Sequence, residues 1–325
     1  MIVENQTLEG WANTEHLKPA ILQTINDFQR SYLDLIDPAQ HQAARATLKT
    51  FVALVVQQLQ NPYQFEIFHR AIRSPFDYYQ FGLDFIRPLI DFKHSRVEGK
   101  DIIAHMVAQT QAGENVILLA NHQTEPDPQI ISLMLEPFAS EFAAKMIFVA
   151  GHRVVSDPVA VPMSKGRNLL CIYSKKHIEH DPHTKADKLK HNMRTMKKMS
   201  ELLAEGGHCI YVAPSGGRDR LGINGKPEVA RFDVQSIEMF KLTAEQAGPP
   251  AHFYPLVLKT YDVMPPPDEV KNELGEERRI KFAPVFLDFR PEVAMDAFEG
   301  DRKSRRIKRA EYIWNQVETA YARFE

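Results

Sequence analysis

The pattern of apolar and polar positions changes its period near residue 100. Before that point apolar residues recur every three to four positions, the spacing of one helical face. Leu17, Ile21, Ile25, Phe28, Tyr32 and Leu35 predict a helix over 13–35, ended by Asp37-Pro38. Ala43, Leu48, Phe51, Leu54, Val55 and Leu59 predict a second helix up to Asn61-Pro62. Phe65, Phe68 and Ile72 predict a third. The next segment, 77–92, carries Tyr78, Tyr79, Phe81 and Phe85, large rings that read as core joining these helices to the remainder of the chain. Beyond residue 100, short apolar runs alternate with helical stretches, an α/β pattern. Strands are predicted at 116–120, 146–150, 169–173, 208–213, 252–258 and 280–289. Helices are predicted at 187–205, stopped by Gly206-Gly207, from Asp233 to Gly248-Pro249, and at 302–324. Met264 to Glu277, with Pro265-Pro266-Pro267, predicts an exposed loop. The expected fold is α/β, a mixed sheet flanked by helices, preceded by a smaller helical bundle. The bundle is expected over 1–73 and the α/β domain over 74–325.

Composition narrows the function classes. With 325 residues, 44% hydrophobic and 25% charged, the chain reads as an ordinary globular protein with a sizeable core. A net charge of -2 gives no electrostatic footprint for nucleic acid, so no nucleic-acid partner is expected. Cys171 and Cys209 both lie in apolar runs and read as reduced core thiols, not a disulfide. The start, MIVENQTLEG, has neither a secretory pattern nor the Arg- and Ser-rich character of a transit peptide. No apolar run approaches the ~20 residues that span a bilayer. The expected location is the bacterial cytoplasm, or the plastid stroma if a transit peptide has been removed.

The chemistry collects where predicted strands end. Asn121-His122-Gln123-Thr124-Glu125-Pro126-Asp127-Pro128 follows the apolar run 116–120 directly and puts a histidine five positions before an aspartate. Open α/β sheets place their sites at such strand ends. A carboxylate that orients an imidazole makes a general-base unit. The plainer reading of Asp127-Pro128 is a helix start, with Asp127 as N-cap and Pro128 at the first helical position. Lys175-Lys176-His177 follows strand 169–173, and Ala213-Pro214-Ser215-Gly216-Gly217-Arg218-Asp219-Arg220 follows strand 208–213. Gly216-Gly217 allow a sharp turn and close approach to a ligand. Arg218 and Arg220, two apart, point the same way in extended chain. These cations suggest an anion pocket, Arg suiting bidentate phosphate contact. The plainer alternatives are a solvated Lys pair and a local salt-bridged Arg-Asp-Arg turn. Neither a P-loop nor a dinucleotide fingerprint is present. No zinc spacing or nucleophile elbow occurs either. A further run, Arg302 to Arg309, has six basic residues in eight. It reads as a solvated helix face, or alternatively as a docking patch for an acidic carrier protein or an anionic membrane surface in transient contact.

Together these segments resemble the glycerolipid acyltransferase superfamily. Its N-H-x4-D block matches Asn121, His122 and Asp127. Its Gly-x-Arg block resembles Gly151-His152-Arg153, its Pro-x-Gly-x-Arg block Pro214 to Arg218, and its apolar block around proline Phe253-Tyr254-Pro255-Leu256. The stretches NHQTE-x-DP, KGRNLLCIYSKKH and APSGGRDR are similar to the soluble glycerol-3-phosphate acyltransferase branch of plant chloroplasts. That resemblance spans most of 75–260. It implies a catalytic dyad of His122 and Asp127, and glycerol phosphate bound by Lys176, His177, Arg218 and Arg220. It also implies an acyl carrier protein or acyl-CoA thioester as donor, and a helical bundle packed on an α/β domain. No metal or tightly bound cofactor is expected. The expected reaction gives lysophosphatidic acid from glycerol 3-phosphate. The alternatives are a lysophosphatidate acyltransferase, a non-catalytic lipid- or acyl-carrier-binding module, and a phosphatase-like hydrolase.

Overall fold

The computed structural model describes residues 19–180, 182–267 and 278–324; side chains at 19–22, 24, 25, 175, 176 and 180 are outside that description. The first predicted helix is present from Pro19 as α1 (Pro19–Leu35), and the second is α2 (His41–Gln60). Then come β1 (Phe68–His69), α3 (Tyr78–Ile86), β2 (Arg96–Glu98), α4 (Lys100–Gln111), β3 (Asn115–Ala120) and α5 (Asp127–Lys145). Next are β4 (Ile147–Gly151), α6 (Val161–Ser164), β5 (Asn168–Ile172), α7 (Lys175–His180), α8 (Lys185–Glu205) and β6 (Cys209–Val212). The chain continues through β7 (Arg220–Leu221), β8 (Pro227–Glu228), α9 (Val234–Ala247), β9 (Ala251–Lys259), β10 (Phe286–Phe289) and α10 (Arg302–Ala322). Among the described residues, no helix is long and apolar enough to cross a membrane.

The sheet has eight strands in the order β1-β5-β4-β6-β3-β9-β10-β2. Its centre, β5 through β9, is parallel; β1 and β10 run antiparallel to their neighbours β5 and β9. It is therefore the mixed sheet the pattern predicts. Side-chain alternation splits the core into two layers. Val116, Leu118 and Ala120 of β3 face α1 to α5, whereas Ile117 and Leu119 face α8, α9 and α10. Each such buried aliphatic or aromatic side chain contributes about 1.5–3 kcal/mol. The early aromatics are core, as their pattern predicts: Phe85 of α3 lies 4.9 Å from the Phe51 ring and 5.1 Å from Tyr32, and the Tyr32 hydroxyl donates to Phe85 O at 2.6 Å. Cys171 and Cys209 are buried and free.

Three local expectations fail for identifiable reasons. Residues 65–72 form no helix; Phe68 and His69 pair with Leu170 and Leu169 at the sheet edge. Tyr63 and Phe65 alternate with Gln64 and Glu66, a period of two that the sparser 65-68-72 spacing obscured. Part of the loop expected to be exposed is buried: Met264 packs into the core and Pro266 is buried, and residues 268–277 lie outside the described residues. Asp127 is not an N-cap. It is the first residue of α5, Pro126 takes the cap position, and no side chain caps that end.

Candidate active site

Five chain segments leave the parallel strands at one edge of the sheet. Those after β5, β4, β6, β3 and β9 stand side by side in that order, so strand order alone assembles the site. The segment after β3 carries His122 and Asp127. The His122 Nδ1 is 2.8 Å from Asp127 Oδ2, with the imidazole part-exposed and the carboxylate buried. A carboxylate only accepts, so Nδ1 carries a proton, and in the neutral imidazole Nε2 is the nitrogen left to accept one.

Asp127 also accepts from the Gln123 and Thr124 amides and from the Thr124 and Thr260 hydroxyls, at 2.6–3.2 Å. Burial by itself would push its pKa up. The hydrogen bond and charge of His122, with the Thr260 and Gln123 bonds, outweigh burial and hold the carboxyl below its usual range. The helix cap expected of this residue is thus replaced by an inward role: its carboxylate turns back onto its own loop.

The rest of the motif is scaffold that sequence reasoning left without a role. Asn121 bridges β9, donating to Leu258 O at 2.9 Å and accepting from Leu258 N at 2.8 Å. Gln123 Oε1 accepts the Thr260 and Tyr261 amides, and its Nε2 donates to Tyr321 Oη at 3.0 Å. Buried polar side chains need partners. A polar run directly after an all-apolar strand was the available signal for this network. Asp219 completes it. Its amide donates to His122 O at 2.6 Å, and its carboxylate accepts from Asn121, Gln123 and the Ala230 amide. Burial pushes this carboxyl up to about 6 despite those bonds. The expectation of a merely local Arg-Asp-Arg turn therefore misses where Asp219 points.

The four residues expected to bind phosphate divide into two pairs. Arg218 and Arg220 flank Asp219 and stand beside the His122 turn, both half-buried. Gly216, at φ 69°, makes the turn that brings them there, and Arg220 Nη1 donates to Pro267 O at 2.7 Å. His177 and Lys176 come from α7, after β5. That strand is three places from β3, roughly 14 Å at the usual strand spacing. The Lys176 side chain lies outside the described residues. Between the pairs stands the Gly151-His152-Arg153 turn. The His152 ring stacks on Tyr173 at 4.5 Å and lies 5.2 Å from the His177 ring. Burial, then the nearby His177, His191 and Lys188 charges, lower His152 to about 4. Among the described residues, no group of three or more His, Cys, Asp or Glu converges as a metal site would need.

The basic run of α10 belongs to another part of the molecule. Arg306 and Arg309 pair with Glu238 of α9, and Arg309 is buried. Tyr321, at the far end of the same helix, is the residue that meets Gln123. At 1.5 Å rise per residue, Lys303 lies about 27 Å from it.

The chain was compared with known proteins. A family model described as Acyltransferase matches residues 94–259, which contain β3 to β9 and the His122, Gly151 and Arg218 turns. Curated relatives include "Glycerol-3-phosphate acyltransferase, chloroplastic" of Spinacia oleracea, 43% identical over 76% of this chain and 53% of that protein. The protein of the same name from Phaseolus vulgaris is 36% identical over 92% of this chain and 66% of that one. That from Arabidopsis thaliana is 42% identical over 76% and 54%. A solved structure, the 1-acyl-sn-glycerophosphate (LPA) acyltransferase PlsC from Thermotoga maritima, aligns with TM-score 0.42 at 16% identity, over 91% of this chain and 94% of that one. The chain spans between half and two thirds of the length of the curated relatives it matches. A matched family region that covers half the chain and contains the His122–Asp127 turn places this chain in the acyltransferase family.

Proposed function

We propose that the chain transfers an acyl group from a thioester to the sn-1 hydroxyl of glycerol 3-phosphate, giving lysophosphatidic acid as the first step of glycerolipid synthesis. The observation that carries this reading is the His122–Asp127 pair, 2.8 Å apart at the end of a central parallel strand. Support for the acceptor comes from the relatives' names and from Arg218 and Arg220 beside that pair. Lys176 and His177 are proposed to complete the phosphate contact from α7. His122 Nε2 takes the proton of the acceptor hydroxyl as its oxygen attacks the thioester carbonyl. Asp127, kept ionised by its five donors, stabilises the imidazolium. Collapse of the tetrahedral intermediate breaks the C–S bond, and His122 returns the proton to the leaving sulfur. No side chain of the pair forms a covalent acyl intermediate, so both substrates are held at once and positioning supplies much of the acceleration.

The donor is proposed to be an acyl carrier protein thioester, with acyl-CoA as the alternative. The location proposed is the plastid stroma, since the relatives' names read chloroplastic, with a bacterial cytoplasm as the alternative. The test is thioester release with glycerol 3-phosphate, with its monoacylated product, and with no acceptor, in wild type and His122→Ala. We expect turnover with glycerol 3-phosphate alone, lowered at least ~10³-fold in folded His122→Ala. Preference for the monoacylated acceptor would make the chain a lysophosphatidate acyltransferase. Near-normal turnover in the variant would remove His122 from the chemistry.

A further inference from the structure

Glu125 sits in the same turn as His122 and Asp127, but its carboxylate turns to a residue 153 positions away. Arg278 Nε donates to its Oε1 at 3.1 Å and Nη2 to its Oε2 at 3.0 Å. The same Nη2 reaches Asp157 Oδ2 at 3.0 Å. Side-chain exposures are 8% for Arg278, 19% for Glu125 and 2% for Asp157, so the three charges are shielded together. Asp157 closes the turn after β4: its amide donates to Arg153 O at 2.9 Å and its Oδ1 accepts the Val159 amide at 2.9 Å. One guanidinium therefore ties the segment after β3 to the segment after β4.

We propose that Arg278 is a positioning residue of the transfer reaction: by clamping Glu125 and Asp157 it fixes the turn that carries His122 and Asp127 and offsets the negative charge beside the imidazole. The inference rests on His122 acting as the base. The planar fork suits the task, since it bonds one carboxylate through two nitrogens and still reaches a second. A turn misplaced by about 1 Å can cost on the order of 10²-fold in rate. Glu125 is three residues from His122, so their backbones are at most about 11 Å apart. Without Arg278 the Glu125 charge would stand in the His122 turn without its cation. The other groups around the His122 turn are Asp127 on α5, Asp219 after β6 with Arg218 and Arg220 on either side of it, Tyr211 on β6, which donates to Asn121 O, and Tyr321 on α10, which meets Gln123.

The test uses the full chain and four variants: Arg278→Lys, Arg278→Gln, Glu125→Gln and the double variant Glu125→Gln/Arg278→Gln. The clamp carries a formal charge of about −1 in wild type, −1 with lysine, −2 with Arg278→Gln, 0 with Glu125→Gln and −1 in the double variant. The readouts are kcat, KM for both substrates, the pH profile of kcat/KM, thermal unfolding, and the His122 imidazole titration followed by NMR. Both Arg278 variants should lose about 10- to 100-fold in kcat, with KM for both substrates within about threefold. The acid limb should move to higher pH in Arg278→Gln, to lower pH in Glu125→Gln, and back to the wild-type position in the double variant, whose kcat stays low. A purely structural residue would lower stability without that charge-ordered movement. An acid limb that stays put across the set, or a folded Arg278→Lys with wild-type kcat, overturns the proposal. If Arg278→Gln does not fold, Glu125→Gln and Arg278→Lys decide. The NMR titration needs no acceptor. A wild type inactive on glycerol 3-phosphate would therefore defeat the proposed function while the clamp is still decided by the imidazole.

Discussion

Two aspartates are buried side by side in this site, and their surroundings drive them in opposite directions. Asp127, at the start of α5, accepts from five donors, one of them a titratable imidazole, and is held in its ionised form. Asp219, after β6, is equally inaccessible but accepts from three neutral amide donors, and burial lifts it to about 6. Equal burial therefore does not mean equal acidity. A carboxylate stays ionised in an apolar setting when enough donors, and preferably a cationic one, converge on it. On the proposed reading Asp127 partners the base, while Asp219 ties the Arg218–Arg220 segment to the His122 backbone.

The largest effect should come from breaking this asymmetry at Asp127. Asp127→Asn removes the negative charge and turns one acceptor oxygen into a donor, so the imidazole tautomer is no longer fixed, and kcat should fall by ~10³–10⁴. Asp219→Asn should cost about tenfold at most, one neutral hydrogen bond's worth. Equal losses in single-turnover assays would erase the distinction. Next, Arg218→Ala or Arg220→Ala should weaken glycerol 3-phosphate by about 2–5 kcal/mol and the thioester much less. Equal weakening of both substrates would make these arginines structural, a role the Arg220 bond to Pro267 O also allows.

The smallest effect concerns stability against pH and sharpens the comparison directly. The folded pKa of Asp219 is raised, so its contribution is fully present below the unfolded value near 4 and is lost as pH rises through about 6. That loss is about 2–3 kcal/mol. Asp127 has the opposite sign: its contribution is present above pH ~4 and is lost as pH falls through its depressed folded value. Urea unfolding of wild type and Asp219→Asn at pH 4.5 and 7 measures the first. The variant should lack the decline that wild type shows over that interval. Parallel behaviour of the two proteins would show that Asp219 is not the group responsible.

Much of the fold was legible because its signals are local. The strand 116–120 is an unbroken apolar run, α8 ends where Gly206 adopts φ 74°, and Asp233 caps α9 as its position suggests. Local pattern misled where a partner from elsewhere decided. Residues 68–69 became a strand because the free edge of β5 was available to pair with. Asp127 gave up the expected cap because His122, Gln123, Thr124 and Thr260 drew its carboxylate inward. The basic run was conspicuous by composition, yet its place about 27 Å along α10 from Tyr321 separates it from the site.

The amino-acid order by itself determined which residues could do chemistry and that they would emerge at strand ends. Spacing along a strand, a turn or a helix is a property of neighbouring residues. Only the tertiary structure decided which turns became neighbours, how Asp219 and Asp127 came to differ, and that Arg278 would close on Glu125 and Asp157. Those contacts join positions up to 153 residues apart. Their energies depend on desolvation and on converging donors, which exist only once the sheet has ordered its strands.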